Sequence, residues 1–427
     1  MFPLSRTHPC GVWLQARTCT HARSATAPPA AMLHTAAMNA SPPARPVPMK
    51  SLVFVVTEDW FFASHFLPMA RAAVAMGLSV AVVTRVRAHR AAIEATGARV
   101  VALEAERSSL NPMAAGYAAG QLAAILKALK ADIVHCIALR GILVGGTAAA
   151  MAGVSDRVYA LTGLGLMGAR ADRAGRLSRL ALKGLMRGPL ASARTRYLFE
   201  NADDARALGL DPADTAVTLV GGAGVDPNAF APGPLPPAPP LKVAIVARML
   251  WSKGIDVAVE AVRRMRREGV AVELSLYGAP DASNRRAIPE ATLRDWTGDG
   301  IVWHGPTRDV AGVWAGHHLA CLPSRGGEGL PRTLLEAAAC GRAILTSDVP
   351  GCRDLVRDGI EGLVTAPDDA GALAGALRRL AADPALVARM GDAAAARILE
   401  GGYTEAAVAS AVAGLYAELL ASQEPGR

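Results

Sequence analysis

The strongest constraint on the fold is a repeated alternation of short apolar runs with helix-like patterns. Leu52 to Val56 is an apolar, β-branched run, and Ser79–Thr84 and Ile133–Ile137 are similar runs with helical patterns between them. Such runs are typical of strands that are buried on both faces of a parallel sheet. Strands that alternate with helices form βαβ units, so the sequence predicts a doubly wound α/β architecture.

A second series of the same kind follows a proline-dense segment. Residues 231–240 read as the clearest linker in the chain, and Leu241–Ala247 opens the next strand pattern. The chain has 427 residues, which exceeds what one hydrophobic core usually serves. We therefore predict a first domain over 49–232, a second over 241–402 and a closing segment over 403–427.

The first 48 residues differ in composition from the rest of the chain. They contain no Asp or Glu and are rich in Pro, Ala, Arg and Thr. This composition is typical of an organelle transit peptide, but Met38 and Met49 both precede the first strand closely. We therefore favour translated sequence upstream of a true start, and we expect 1–48 to be a disordered extension outside the fold.

Charge and cysteine content narrow the function classes. The net charge of +8 and the pI of about 9.4 favour anionic partners such as nucleotide diphosphates, acidic lipid or nucleic acid. The six cysteines form no C-x-x-C pair and the histidines are scattered, so we expect no metal site. No apolar run reaches the roughly 18 to 20 residues that span a bilayer, and we expect a cytoplasmic protein.

The stretch from Cys321 to Val364 carries the most specific chemistry. It reads as a strand, a glycine-containing loop, a helix opened by Pro331 and a further strand. A helix N-terminus offers unpaired N–H groups to a phosphate, and Gly327 and Gly329 would permit its close approach. Glu328 and Glu336 frame the loop, where they predict polar ligands such as sugar or ribose hydroxyls.

The same stretch resembles a known family. The pattern E-G-x-P-x-x-L-L-E-A followed by D-V-P-G-x-R-D-L-V is similar to the signature of family 4 retaining glycosyltransferases of the bacterial surface-polysaccharide type. The resemblance implies a GT-B fold, in which two Rossmann-like doubly wound domains face each other across a cleft and the last helix crosses back to the first domain. It further implies that Glu328 contacts the donor sugar and Glu336 the nucleotide ribose, within a donor-binding set of Gly327, Gly329, Leu330, Pro331, Thr333 and Glu336.

A second motif supports this resemblance. A-R-M-L-W-S-K-G is similar to the family's G-R-x-x-x-x-K-G element, with Ala247 where glycine is usual. By that resemblance Arg248 and Lys253 grip the donor diphosphate, because two fixed cations stabilise charge on a departing nucleoside diphosphate. We therefore predict Glu328, Arg248 and Lys253 as the catalytic set.

The acceptor-side residues are expected at the strand ends of the first domain. The candidates are Asp59, His65, Thr162 and Gly163. The first loop, TEDWFFASH, lacks the glycine pair that is common in the family, and Gly163 and Gly165 offer a close backbone approach instead. For His65 a helix-terminal histidine without function is an equal alternative, and His135 is more typical of a core histidine.

One further segment is strongly basic. Residues 170–196 carry eight Arg or Lys against the single acid Asp172. From Arg173 to Arg187 the cations recur every three or four residues, with Leu182 and Leu185 on the other side of the predicted helix. Such a helix is either a solvated face or a docking surface for an anionic membrane, and the second reading predicts a peripheral protein at the inner face of the plasma membrane.

The function implied by the resemblance is retaining transfer of a hexosyl or N-acetylhexosaminyl group without a metal or a cofactor. The donor would be a nucleotide sugar, with uridine diphosphate the expected carrier, and the acceptor lipid-linked or a saccharide in polysaccharide assembly. No nucleic-acid partner is expected. The alternatives are a nucleotide-sugar 2-epimerase of similar architecture and a sugar-nucleotide binding module without catalysis.

Overall fold

The fold is built on two parallel β-sheets. The structure is a computed structural model that describes residues 49–103, 112–165, 172–281 and 284–421. The predicted extension over 1–48 lies outside the described residues. The strands of the first sheet are β1 Ser51–Glu58, β2 Ser79–Arg85, β3 Arg99–Ala102, β4 Ile133–Ile137, β5 Asp156–Leu161, β6 Thr195–Phe199 and β7 Val217–Leu219. Those of the second are β8 Leu241–Val246, β9 Val272–Tyr277, β10 Ile301–Gly305, β11 Leu319–Leu322, β12 Ala343–Ser347 and β13 Gly362–Thr365.

Helices connect these strands. In the first half they are α1 Asp59–His65, α2 Leu67–Ala75, α3 Arg90–Glu94, α4 Pro112–Ala128, α5 Ala138–Ala152, α6 Arg173–Arg187 and α7 Ala202–Ala207. In the second half they are α8 Ile255–Arg267, α9 Glu290–Trp296, α10 Val310–Ala315, α11 Arg332–Ala339, α12 Cys352–Leu355, α13 Ala370–Ala382, α14 Pro384–Glu400 and α15 Glu405–Ala421, with a 3₁₀ turn at Trp251–Lys253.

The strand order confirms the predicted architecture. The first sheet runs β3-β2-β1-β4-β5-β6-β7 and the second β10-β9-β8-β11-β12-β13, with parallel pairing in both. In each sheet the order reverses beside the first strand of the domain, between β1 and β4 and between β8 and β11. Ligands of doubly wound sheets bind beyond the carboxyl ends of the strands at this reversal, so these two edges locate the candidate site.

Apolar layers cover both faces of the first sheet. Leu122 and Leu126 of α4 pack with Val53 and Val55 on one face. On the other face, α1, α2 and α15 bury their apolar sides against Leu52 and Phe54. The final helix, whose sequence lies beyond the second domain, therefore packs as part of the first.

Local structure differs from prediction after the first strand. The stretch 57–64 was expected as a loop, but β1 continues to Glu58 and helix α1 follows at once. The carboxylate of Asp59 accepts backbone N–H groups of Arg87, Ala88 and His89 at 2.7 to 3.0 Å, and Phe62 enters the core. These tertiary contacts outweigh the weak local pattern of the segment.

Hydrogen bonds attach the linker to the second domain. Arg342, which is almost fully buried, donates to the carbonyl oxygens of Gly233 at 2.9 Å and Pro234 at 3.1 Å. Val225 accepts the N–H of Glu405 at 3.0 Å and donates to the carbonyl of Tyr403 at 2.9 Å. The two chain segments that pass between the domains are therefore bonded to one another and to the second domain.

A buried hydrogen bond attaches the last helix to the first sheet. The hydroxyl of Tyr416 lies 2.6 Å from Nδ1 of His135, and both side chains are fully buried. Burial lowers the pKa of His135 to about 3, so the imidazole is neutral. His135 thus has the core role that its apolar neighbours in the sequence favour.

This bond generates a stability prediction. We expect Tyr416→Phe to lower the free energy of unfolding by about 1–3 kcal/mol, because His135 Nδ1 loses its partner without access to water. Tyr117→Phe is the matched control, since Tyr117 is 70% exposed. Urea denaturation followed by circular dichroism measures both, and equal midpoints for the two variants would contradict the assignment.

Candidate functional site

A loop of the second domain forms the centre of the site. It follows β11, and we call residues 326–330 the glycine loop because it holds Gly326, Gly327 and Gly329. Helix α11 starts directly after it with Pro331 as the N-cap, which provides no side-chain hydrogen bond to the helix. The side-chain hydroxyl of Thr333 in the first turn is buried and has no hydrogen-bond partner among the described residues.

Two of the predicted catalytic residues form a bidentate ion pair. Nζ of Lys253 lies 2.7 and 2.8 Å from the two carboxylate oxygens of Glu328. Ser324 donates its hydroxyl to the same carboxylate at 2.5 Å, and the Lys and Glu side chains are only 18% and 12% exposed. The pair is therefore held in one orientation at the wall of the cleft.

Glycine at position 254 makes this pair possible. Its backbone has φ of +66°, and an added Cβ would collide with the carbonyl oxygen of Pro323. The turn after Lys253 can therefore lie directly against the strand end that leads to the glycine loop. A glycine is required here both by the dihedral angle and by the lack of space.

The second predicted donor carboxylate is also paired. Glu336 accepts from Nε of Arg332 at 2.8 Å, one helical turn earlier, and burial raises its pKa. The guanidinium of Arg332 also donates to the carbonyl oxygen of Ser64 in the first domain. Sequence reasoning missed Arg332, although its position four residues before Glu336 was a usable signal.

Arg248 occupies the opposite side of the same region. Its guanidinium donates to Asp281 at 2.8 Å and lies 5.9 Å from the centre of the Trp60 ring. Trp60 belongs to α1, so this cation–π contact crosses from the second domain to the first. Trp60 is a second residue that the sequence did not single out.

His65 faces the three cations from the first domain. Burial, together with the positive charges of Arg332, Arg248 and Lys253, lowers its pKa to about 4. Its Nδ1 lies 2.6 Å from the Ser64 hydroxyl. The structure therefore brings a predicted acceptor-side residue to the predicted donor cations, and keeps its imidazole neutral at physiological pH.

The glycine loop has a different neighbour from the one expected. Gly327 and Gly329 were predicted to admit a phosphate, but their backbones pack against residues 162–165 of the first domain. Gly165 donates its N–H to the carbonyl of Gly327 at 3.1 Å, and a Cβ on Gly163 would collide with the backbone of Gly329. The glycines thus permit close approach of two protein loops.

The other acceptor-side candidates, Asp59 and Thr162, contact protein backbone groups. Asp59 is fully buried and bonded to the turn before α3, so its carboxylate does not face the cleft as an acceptor contact would. The carbonyl group of Thr162 lies against Gly329. Leu330 donates its backbone N–H to Glu200 of the first domain at 2.7 Å.

The part of the chain that the structure describes contains neither a metal-binding cluster nor a membrane-spanning helix. No cluster of three or more His, Cys, Asp or Glu side chains in the described ranges is arranged to hold a metal ion. No helix within those ranges combines the length and apolar character required to cross a membrane.

Two facing doubly wound domains with a cation-lined cleft between them are the features of the GT-B glycosyltransferase fold, and this protein has that fold. Residues 51–193 match the family described as glycosyl transferase 4-like, and residues 240–383 match glycosyl transferases group 1. The chain belongs to these glycosyltransferase families, as the motif at residues 328–336 predicted.

Among curated proteins, the chain is similar to enzymes named for polysaccharide and glycan assembly. It is 31% identical to the amylovoran biosynthesis glycosyltransferase AmsK of Erwinia amylovora over 37% of this chain and 40% of AmsK. It is 26% identical to an N,N'-diacetylbacillosaminyl-diphospho-undecaprenol alpha-1,3-N-acetylgalactosaminyltransferase of Campylobacter jejuni over 62% of this chain and 72% of that protein. The chain spans less than half the length of the first curated relatives it matches.

Solved structures share the fold at low sequence identity. Sucrose-phosphate synthase from Thermosynechococcus elongatus superposes with a TM-score of 0.71 at 19% identity, covering 88% of this chain and all of that one. HepE of Anabaena in complex with UDP-glucose gives a TM-score of 0.68 at 15% identity, over 87% of this chain and 99% of HepE. Both likenesses confirm the two-domain architecture.

The environment of His65 generates a titration prediction. We expect its imidazole to stay neutral down to about pH 5, because burial and the cations oppose protonation. Arg332→Ala should raise the pKa of His65 towards its ordinary value by removing a nearby positive charge. Histidine ring NMR measures both, and Arg71→Ala on the exposed surface is the control. An unchanged His65 titration in Arg332→Ala would contradict this geometry.

Proposed function

We propose that the protein is a retaining glycosyltransferase that transfers a hexosyl or N-acetylhexosaminyl group from a UDP-sugar to a lipid-linked or saccharide acceptor in polysaccharide assembly. The observation that carries the proposal is the grouping of Lys253, Arg248 and Arg332 beside the N-terminus of α11. Family membership, a relative named for transfer to a diphospho-undecaprenol glycan and a structural neighbour solved with UDP-glucose support it.

The proposed pyrophosphate site uses charges that are already fixed. Lys253, Arg248 and Arg332 are each held by a carboxylate, namely Glu328, Asp281 and Glu336. Donors that are oriented before the substrate arrives stabilise developing charge without reorganising during the reaction. The N–H groups of the first turn of α11 and the unpaired Thr333 hydroxyl add neutral donors to this proposed site.

Each remaining residue has a role in the proposal. Glu328, oriented by Lys253 and Ser324, accepts hydroxyls of the donor sugar, and Glu336 accepts those of the ribose. The neutral imidazole of His65 provides a hydrogen bond to a sugar hydroxyl without adding charge. Thr162 and Gly163 support the glycine loop. The departing phosphate, held by the cations, takes the acceptor proton on the face where the bond forms.

Transfer activity tests the proposal directly. Thermal-shift screening against nucleotide sugars should select UDP-linked donors, and the selected donor should release UDP only when an acceptor glycan is added. The anomeric proton of the product, observed by NMR, should show the configuration of the donor. Interconversion of the nucleotide sugar without acceptor would instead indicate an epimerase, and binding without UDP release a binding module.

The paired cations generate a kinetic prediction. We expect Lys253→Ala and Arg248→Ala each to lower kcat roughly 100-fold, or about 3 kcal/mol of transition-state stabilisation. Arg267→Ala is the matched control. Arg267 is an exposed cation on α8 that lies 3.2 Å from its partner Glu260. Full activity in both cleft variants would refute the assigned roles.

The basic helix α6 is proposed as the membrane contact. Leu182 and Met186 are its buried side, while Leu177 and Leu180 are 66% and 63% exposed among the cations. Leu185, expected on the apolar side, is also partly exposed. Exposed leucines beside arginines match an anionic bilayer, where the leucines enter the interface and each cation contributes about 1 kcal/mol. Arg170 lies outside the described residues.

Vesicle flotation tests this surface. We expect the protein to float with vesicles that contain phosphatidylglycerol and to remain below with phosphatidylcholine alone. The double variant Leu177→Ser and Leu180→Ser should float less well, whereas Leu399→Ser, which changes an equally exposed leucine on α14, should behave like the wild type. Equal recovery from the two vesicle types would remove the membrane proposal.

A further inference from the structure

Glu200 reaches across the domain boundary to the glycine loop. It follows β6 in the first domain, and its Oε2 accepts the backbone N–H of Leu330 at 2.7 Å. The adjacent Asn201 directs its Nδ2 towards the carbonyl of Glu328 at 3.5 Å. Two consecutive side chains of the first domain therefore contact the peptide groups on both sides of Gly329.

The contact lies where it can control the donor site. Leu330 is the last residue with a backbone N–H before α11, because Pro331 has none to donate. The orientation of the Leu330 backbone therefore sets the direction in which the chain enters α11. The carboxylate of Glu200 lies so close to Gly329 that an added Cβ would collide with it, which fixes the path of the loop.

We propose that Glu200 is a positioning residue of the proposed donor site. Through the N–H of Leu330 it fixes the glycine loop, which carries Glu328 and leads into α11. The inference rests on the proposed function, because it assigns the N-terminus of α11, which directly follows the loop, to a nucleoside diphosphate. It also means that the donor site of the second domain is complete only when the first domain contacts it.

The protonation state of Glu200 fits this role. Burial raises its pKa to about 8, with Asp204 and Glu328 as like charges, while the bond from Leu330 acts in the opposite direction. Burial also raises the pKa of Asp204 to about 6. The other titratable groups that line the adjoining cavity, which has a volume of about 440 Å³, are Asp354 and Tyr403.

At neutral pH Glu200 is therefore a carboxylic acid. It accepts from Leu330 without placing a negative charge beside the phosphate site. As the pH rises through about 8 the group ionises, and its charge repels both Glu328 and a bound pyrophosphate. Nucleotide binding should consequently weaken above that pH, and a glutamine at this position should remove the dependence.

Titration calorimetry with UDP measures the effect in the full chain. We expect Glu200→Ala to weaken UDP binding about 10-fold at pH 7, which corresponds to one lost hydrogen bond. Glu200→Gln should bind within about twofold of the wild type, because its amide oxygen accepts the same N–H. At pH 9 the wild type should bind more weakly than at pH 7, whereas Glu200→Gln should not.

A matched control distinguishes loss of the Glu200–Leu330 bond from loss of any other contact between the two domains. Asp203, in the first turn of α7, pairs with Arg353 of the second domain, which lies outside the glycine loop. We expect Asp203→Asn to leave UDP binding unchanged. If it weakened binding as much as Glu200→Ala, loss of any interdomain contact would explain the effect and the positioning role would be overturned.

Hydrogen exchange tests the bond without nucleotide. The Leu330 amide should exchange faster in Glu200→Ala than in the wild type and Glu200→Gln. Equal protection in all three, or equal UDP affinity, would overturn the inference while leaving the proposed function intact. A wild-type protein that bound no UDP would overturn the proposed function, and the positioning role with it.

Discussion

The site depends on a contact between two backbones. Residues 162–165 of the first domain and the glycine loop of the second approach so closely that Gly163, Gly327 and Gly329 have no room for a side chain. This contact sets the width of the cleft, and it places His65 and Trp60 within reach of the cations of the second domain. Glycine is thus required at these positions by the neighbouring domain as much as by local backbone angles.

Electrostatic pairing follows from the narrowness of the cleft. Three cations in one partly buried space would repel one another, and each has a carboxylate partner within 2.8 Å. The partners offset that repulsion and hold long side chains in single orientations, which isolated surface pairs do only weakly. The six side chains therefore form three ordered ion pairs whose combined net charge is small.

Much of the fold was accessible from the sequence. The buried strands have continuous apolar runs, so the two doubly wound sheets were predicted correctly. The motifs around Lys253 and Glu328 have local spacings, and the family resemblance that they carry is confirmed. Helix α1 was missed because tertiary bonds to Asp59 stabilise it rather than a local helical pattern. Arg332, Trp60 and Glu200 were missed as site residues because each gains its role from a partner in the other domain.

The two chain segments that connect the domains are anchored by hydrogen bonds, which constrains any separation of the domains. Arg342 joins residues 233 and 234 rigidly to the second domain, and Val225 is bonded to the returning chain beside Thr404. Both connections between the domains thus pass through one hydrogen-bonded region. If the two domains separate while these bonds hold, the gap between them would widen with distance from Val225.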